Sequence, residues 1–128
     1  MVCVSSHSDA YGRGDDPLAD HYANAFNYWI RSDVKQVLNA NKDYAIINIG
    51  NGPTGNILTT SNYIAQTQTN INIIRFSGVQ NQLMVEAGDW GQDWQGVMRD
   101  NAQFITNLDP LENTILAVHM YEAYSAAV

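Results

Sequence analysis

The sequence has little positive charge: six Lys and Arg residues stand against thirteen Asp and Glu residues, giving a net charge of −7 at pH 7. The six basic residues form no cluster anywhere along the chain. Nucleic acids and anionic membrane surfaces bind through clusters of Lys and Arg, so we expect neither as a partner. No apolar run approaches the roughly 20 residues that a membrane-spanning helix needs.

Cysteine is almost absent as well. Cys3 is the single cysteine, which excludes an intrachain disulfide framework and a cysteine metal site. Because Cys3 lies in an apolar run, we predict that it is a small core residue. The N-terminus lacks the basic region and the long apolar segment of a signal peptide. A Gly-rich phosphate-binding loop with its Lys and Ser or Thr is also missing.

The length and the overall composition indicate one globular domain. The chain has 128 residues, of which 45% are hydrophobic and 15% are charged. Such a chain can bury a moderate core, and we predict one domain over residues 1–128. It is too short for a complete eight-stranded β/α barrel, which needs about 250 residues.

Residues 45–56 combine a buried strand with a loop. The apolar, β-branched run at residues 45–49 is typical of a strand that is covered on both faces of a parallel sheet. Glycine and proline at residues 50–55 then force the chain out as a loop at the carboxyl end of that strand, where parallel α/β folds bind ligands. Asn51 and Gly52 could instead form a hairpin turn, but the helix-periodic segment that follows favours a strand–loop–helix unit.

The whole chain alternates between strands and helices. We predict strands at residues 1–7, 44–50, 83–87 and 114–121. Helices are predicted from Asp16 and Pro17 to Leu38 with a possible break at Ser32–Asp33, from a cap at Thr60 or Ser61 to Gly78, and over residues 95–107. Residues 70–73 alternate like a strand, but both flanks keep the helical period. The order β-α-β-α-β-α-β implies an α/β fold with parallel strands and right-handed crossovers.

The apolar stripes of these helices are predicted to form the core. Their members recur at helical spacing, which places them on one face of each helix. They are Leu18, Tyr22, Phe26, Trp29, Ile30, Val34, Val37 and Leu38 in the first helix, Tyr63, Thr67, Ile71 and Ile74 in the second, and Met98, Ala102 and Ile105 in the third.

Polar or aromatic residues follow each predicted strand. They are His7 with Asp9, then Asn51, then Glu86 to Trp90, and finally His119 with Tyr121. Parallel pairing brings all four strand ends to the same edge of the sheet. Imidazole, amide, phenol and indole groups together suit a neutral, polyhydroxylated ligand.

Trp90 and Trp94 are the natural stacking platforms for such a ligand, although one or both could simply cover the end of the fold. His7 and His119 could bind a metal, but no spacing selects one, so we expect no metal site. The tripeptide Arg13-Gly14-Asp15 matches a cell-adhesion motif, but a solvated loop is the better explanation for these residues. The acidic residues around that loop lack the spacing of a calcium-binding loop.

Taken together, these motifs resemble the middle of a glycoside hydrolase family 5 enzyme, of the secreted bacterial cellulase and β-mannanase type. Residues 46–56 resemble the fourth strand of that family, whose tip reads Asn-Glu-Pro. Further matches are Tyr63, Thr67, Ile71, Arg75, Gly78, residues 83–85, 90–94, 98–103, 107–110, 113–114 and 119–122. The resemblance implies strands three to six of a TIM (β/α)₈ barrel, a β-1,4-linked glucan or mannan as the partner, secretion, and no cofactor.

The same resemblance implies roles for individual residues. His7 would line a sugar subsite, and Asn51 would hydrogen-bond the 2-hydroxyl of the sugar. His119 and Tyr121 would orient the nucleophile and the glycosidic oxygen. Family members cleave their substrate with retention, using two glutamates roughly 5 Å apart, one as acid/base and one as nucleophile.

The sequence departs from this family at both glutamates. Gly52 stands at the acid/base position, and the strand that carries the nucleophile is absent. Losing an acid/base costs about 10²- to 10⁴-fold in rate, and losing the nucleophile removes the mechanism. Glu86 and Glu122 are the nearest possible substitutes. The chain is therefore either a weakly active hydrolase or a non-catalytic half-barrel that binds glycans or has a purely structural role.

Four parallel strands cannot close a barrel, and an open sheet exposes two edges and an apolar face. We therefore expect a homodimer in which two half-barrels complete an eight-stranded ring around a twofold axis. The alternative is a flattened open sheet, with or without exchanged helices.

Overall fold

Four parallel strands form one sheet in the computed structural model, which describes residues 1–6, 22–53 and 59–121. The strands are β1 (Val2–Ser5), β2 (Ala45–Asn48), β3 (Leu83–Glu86) and β4 (Thr114–Ala117). Their order in the sheet repeats their order in the sequence, and every neighbouring pair is parallel. The parallel order is therefore confirmed. A hairpin at Asn51 and Gly52 is excluded, because it would make β2 and β3 antiparallel.

The helices connect these strands. They are α1 (Phe26–Trp29), preceded by a 3₁₀ turn at Tyr22–Asn24, then α2 (Ser32–Ala40), α3 (Thr60–Phe76) and α4 (Val97–Thr106). Residues 70–73 lie inside α3, so their helical interpretation is confirmed. Within the described ranges, no helix combines the length and the apolar character needed to cross a membrane.

Two helix boundaries can be compared with the prediction. The break in the first helical segment, predicted near Ser32–Asp33, falls at Arg31, whose ψ of 137° is extended, so α2 begins at Ser32. The predicted start of that segment at Asp16 and Pro17 lies outside the described residues. The N-terminus of α3 is capped by Thr59, whose hydroxyl accepts a hydrogen bond from the Asn62 amide at 3.2 Å. The cap is thus one residue earlier than expected.

The helices cover one face of the sheet and form the core with it. The sheet contributes Ile47, Ile49, Leu83, Val85 and Ala87, and the helices contribute Trp29, Tyr63, Ile71, Ile74, Met98 and Ile105, all of them buried. The Trp29 indole Nε1 donates to the Ile49 carbonyl at 3.1 Å, so its polar atom is satisfied inside the core. The predicted core stripe of α3 is confirmed in full.

Two predicted core residues are exposed instead. Val37 is 64% exposed, because α2 turns Leu38 rather than Val37 toward the core. Cys3 is also exposed, so its prediction as a core residue was wrong. Cys3 pairs in register with Ile46, whose neighbour Ile47 points into the core. Side chains alternate along a strand, so Cys3 lies on the face that no helix of the described residues covers.

We call this second face of the sheet the inner face. It carries Cys3, Ile46, Met84 and Ile115, the last three of them half-buried. The register pairs Cys3 with Ile46 and Met84 with Ile115, but it places Met84 beside the polar Asn48. The inner face therefore carries two apolar pairs, separated by polar side chains.

A buried ion pair fixes the amino-terminal ends of the strands. Arg75, near the end of α3, contacts Asp109 through Nε at 2.8 Å and a terminal nitrogen at 2.7 Å, and both side chains are almost fully buried. Arg75 also donates to the carbonyls of Val79 and Asn81. The Asn81 amide in turn reaches the Ala45 carbonyl at the start of β2.

Burial alone would raise the pKa of Asp109, but its hydrogen bonds outweigh that effect. Arg75, the Leu111 amide and the Thr114 hydroxyl all donate to the carboxylate, and together they lower its pKa from 3.8 to about 2. Because the pKa is lower in the folded state, the resulting stabilisation is complete above pH 3.8 and is lost as the pH falls toward 2.

Replacing Asp109 with Asn should lower the free energy of unfolding by about 3–5 kcal/mol at neutral pH, because the Arg75 charge stays buried without its partner. The difference from the unaltered chain should shrink by about 2 kcal/mol as the pH falls from 5 to 2. Urea unfolding at several pH values measures both effects. Asp33→Asn is the matched control, since Asp33 forms a similar but exposed pair with Arg31 and should change little. Equal losses of unfolding free energy in Asp109→Asn and Asp33→Asn would contradict a stabilising role for the buried pair.

Candidate functional site

A groove of about 1320 Å³ lies at the amino-terminal ends of the strands. Its lining includes Phe76, Val79 and Leu111, with Lys42 and Asp43 at one side. Parallel α/β folds bind their ligands at the opposite end, where the strands finish. The candidate site is therefore sought at the carboxyl ends of the strands, where the polar residues are concentrated.

The centre of that end is the carboxylate of Glu86, the last residue of β3. It is only 5% exposed, accepts two hydrogen bonds and contacts an imidazole. Asn48 Nδ2 donates to Oε1 at 2.5 Å, and the Gly52 amide donates to Oε2 at 2.5 Å. His119 Nε2 lies 2.7 Å from the same Oε2. One buried carboxylate thus links β2, the loop after β2 and the segment after β4.

The sequence interpretation placed Glu86 at a strand tip and named it as a possible substitute acid, but it missed the contacts that surround this carboxylate. A signal was present in the two strands. Asn48 interrupts an apolar run in β2, and Glu86 ends another in β3. Buried polar side chains need partners, so two of them at the ends of neighbouring strands predict a mutual contact. Tyr63 supports the arrangement from α3, since its hydroxyl donates to the Glu86 backbone carbonyl at 2.7 Å.

His119 is held by its backbone as well as by its ring. Its amide donates to the Gly91 carbonyl at 2.7 Å. Nδ1 of its ring lies 3.2 Å from the hydroxyl of Tyr121, which is 55% exposed. Glu86, His119 and Tyr121 therefore form a continuous polar chain from the buried carboxylate to the surface. We call these three residues with Asn48 and Gly52 the strand-tip cluster.

The loop at residues 88–96 contacts this cluster through the backbone of Trp90 and Gly91 and carries two indole rings. Trp90 and Trp94 are 39% and 61% exposed, and their ring centroids are 6.2 Å apart at an angle of 62°. Asp89 accepts hydrogen bonds from the backbone amide and the side chain of Gln95. Asp93 accepts from the backbone amides of Met98 and Arg99 and so caps α4. The loop is thus internally bonded, and both indoles are available to a ligand.

Gly52 adopts a backbone conformation that disfavours a side chain. Its φ is +53°, and a β-carbon at this position would lie 3.3 Å from the Trp90 carbonyl oxygen. Non-glycine residues pay roughly 1–2 kcal/mol for a left-handed conformation. Its neighbour Asn51 is half-buried, and the Asn51 amide donates to the Ser6 carbonyl at 3.3 Å.

The structure thus brings together the predicted tips of β2, β3 and β4. His7 and Asp9 after β1 lie outside the described residues, as do Glu122 and the tripeptide at residues 13–15. Among residues 1–6, 22–53 and 59–121, no group of three or more His, Cys, Asp or Glu side chains is arranged to hold a metal ion.

Comparison with known sequences identifies the fold that carries this cluster. The sequence profile described as Cellulase (glycosyl hydrolase family 5) matches residues 1–128. The chain belongs to glycosyl hydrolase family 5. Its four parallel strands and alternating helices are accordingly part of a TIM barrel of this family, and its resemblance to cellulases and mannanases is confirmed.

The similar curated relatives of this family 5 chain are mannanases. It is 44% identical to Beta-mannanase/endoglucanase A of Caldicellulosiruptor saccharolyticus over 93% of this chain and 9% of that protein. It is 40% identical to Mannan endo-1,4-beta-mannosidase of Cellvibrio japonicus over 97% of this chain and 28% of that protein. The chain therefore spans less than a third of either relative.

Solved structures of mannanases superpose on the same elements. The mannohexaose complex of Thermomonospora fusca β-mannanase gives a TM-score of 0.84 at 39% identity, over 96% of this chain and 41% of that one. The mannanase catalytic domain from Streptomyces sp. SirexAA-E gives 0.83 at 40% identity, over 95% of this chain and 38% of that one. In both comparisons this chain matches about two fifths of a longer mannanase chain.

Substituting Gly91 with Ala should displace the His119 ring, because the new β-carbon would lie 2.8 Å from Cγ and Nδ1 of that ring. Gly78→Ala is the matched control: Gly78 also has a positive φ, of +95°, but no atom lies within 4 Å of its β-carbon position. Both variants carry backbone strain, and only Gly91→Ala should shift the NMR signals of the His119 ring. Unchanged His119 signals in Gly91→Ala would contradict the contact.

Proposed function

We propose that this chain binds β-1,4-linked mannan at the strand-tip cluster and hydrolyses it weakly or not at all. The observation that carries the proposal is the arrangement of two exposed indoles beside a buried carboxylate, an imidazole and a phenol. Mannose rings would stack on Trp90 and Trp94, and their hydroxyls would bond to His119, Tyr121 and Asn51. The relative solved with mannohexaose supports mannan over glucan.

The low activity follows from the residues at the acid/base position. The family resemblance puts that position at Gly52, which has no side chain to carry a proton. Its left-handed backbone and the nearby Trp90 carbonyl also disfavour a side chain there. We infer that the general acid of the family is absent from this chain, which costs about 10²- to 10⁴-fold in rate.

Glu86 is a poor replacement for that acid. Its carboxylate is 5% exposed and already accepts from Asn48, Gly52 and His119. A general acid must hold a proton and reach the leaving group, whereas this carboxylate is enclosed by donors. The second candidate, Glu122, lies outside the described residues.

The alternative function is a residual hydrolase that uses an unusual carboxylate pair. A retaining reaction needs two carboxyl groups about 5–5.5 Å apart. The family membership supports this alternative, and the engaged state of Glu86 argues against it. We also propose that the chain is secreted, as the family resemblance implies.

We further propose that residues 1–128 act as one half-barrel unit and that two copies associate. The inner face carries the exposed Cys3 and the half-buried Ile46, Met84 and Ile115, and Val2 on β1 is 63% exposed. β1 and β4 are the two outer strands of the sheet, and no strand of the described residues pairs with their outer edges. A twofold axis that pairs β4 of one copy with β1 of the other would cover both edges and the inner face.

Mannohexaose should bind, and the double substitution Trp90→Ala with Trp94→Ala should weaken binding at least about tenfold, or about 1.4 kcal/mol. Isothermal titration calorimetry measures the affinity. Phe76→Ala is the matched control, because Phe76 is a 95% exposed aromatic that lines the groove at the other end of the sheet. Equal affinities for the unaltered chain, the double tryptophan variant and Phe76→Ala would contradict a stacking role for the two indoles. If the unaltered chain did not bind mannohexaose, the proposed function itself would be wrong.

The same preparation separates binding from hydrolysis. Release of reducing ends from mannan and from carboxymethyl-cellulose should match that of a variant carrying Glu86→Gln and Glu122→Gln. A clearly faster rate for the unaltered chain would establish the residual hydrolase instead.

Light scattering at micromolar concentration should give the mass of a dimer. The reactivity of Cys3 also measures dimer formation, since Cys3 is exposed on the inner face of the isolated chain. Its reaction with a thiol reagent should slow as the protein concentration rises, because the partner copy covers it. A well-folded monomer with concentration-independent Cys3 reactivity would rule out the half-barrel dimer.

A further inference from the structure

Three hydrogen-bond donors from three separate segments converge on Glu86. The Gly52 backbone amide and His119 Nε2 approach Oε2, and Asn48 Nδ2 approaches Oε1. An ionised carboxylate carries no hydrogen, so in that form Glu86 acts as an acceptor toward all three partners. Glu86 therefore dictates which ring nitrogen of His119 carries hydrogen.

The consequence passes through the His119 ring to the surface. Nε2 must carry hydrogen in order to donate to Glu86, and in a neutral imidazole the other nitrogen is then an acceptor. That nitrogen, Nδ1, lies 3.2 Å from the Tyr121 hydroxyl. Tyr121 consequently donates to Nδ1, and the lone pairs of its oxygen remain for an external donor.

We propose that Glu86 is a positioning residue that fixes the polarity of the His119–Tyr121 pair. Through this pair it presents the Tyr121 oxygen as a hydrogen-bond acceptor for a hydroxyl group of the bound sugar. The inference rests on the proposed function for its ligand, and it deepens that function by stating which partner in the contact donates. If His119 carried its hydrogen on Nδ1, Tyr121 would accept from it and offer its own hydrogen to the ligand instead.

Two substitutions of Glu86 distinguish this role from simple space filling. The Asn48 side-chain oxygen, Oδ1, is buried and has no hydrogen-bond partner among the described residues. If Glu86 were replaced by Gln, the Asn48 amide could turn to accept from the new amide group. The remaining oxygen of the substituted side chain would still face Gly52 and His119. Glu86→Met keeps the approximate volume but removes every acceptor.

Long-range ¹H–¹⁵N spectra of the labelled chain, at a pH where the ring is neutral, test the inference directly. The unaltered chain should show His119 protonated on Nε2, and its Gly52 amide should exchange slowly with solvent. Glu86→Gln should preserve both signatures and bind mannohexaose more tightly than Glu86→Met. Glu86→Met should mix the two His119 tautomers, accelerate Gly52 exchange and weaken binding at least about tenfold.

His119 protonated on Nδ1 in the unaltered chain would overturn the proposal, whether or not any variant folds. Identical spectra and affinities for Glu86→Gln and Glu86→Met would assign Glu86 a purely structural role and overturn it as well. Failure of the proposed function looks different: the chain would not bind mannohexaose, while the His119 tautomer and the Gly52 exchange would still report whether Glu86 sets the polarity.

Discussion

Parallel hydrogen bonding between neighbouring strands is the constraint on which the other features depend. Each strand runs in the same direction as its neighbour and in the order of the sequence, so every connection must cross back over the same face. The helices therefore cover one face of the sheet, and the loops that follow the strands converge at one end. Glu86 and His119, which are 33 positions apart in sequence, come within hydrogen-bonding distance only because β3 and β4 are aligned in this way.

The two ends of the sheet each hold a buried acid, but in different chemical settings. Burial alone would raise the pKa of Asp109, but hydrogen bonds from the Arg75 guanidinium, the Leu111 amide and the Thr114 hydroxyl lower it. Glu86 faces two amides and an imidazole, which are weaker partners that can also reorganise. The Asp109–Arg75 pair suits a role in stabilising the fold. The surroundings of Glu86 suit a site where ligands bind and hydrogen-bond patterns change.

Sequence patterns predicted the architecture well and the site only in outline. Periodic apolar residues fixed the faces of α3 and α4, and parallel order followed from the alternation of strands and helices. Cys3 and Val37 were misplaced, because an apolar neighbourhood in sequence does not reveal which face of an outer strand or short helix is covered. The hydrogen bonds of Glu86, and the close approach of Gly91 to His119, depend on register and loop geometry. Neither is encoded in a local pattern.

The sequential strand order has a consequence for how such a chain could grow. β1 and β4 lie at opposite margins of the sheet, and each can accept a further parallel strand. If two copies were joined head to tail, β1 of the second copy would add beside β4 of the first without any strand changing its place. The association would then be intramolecular, and its effective concentration would be set by the linker rather than by expression level. A fusion of this kind would continue the parallel sheet from one copy into the next.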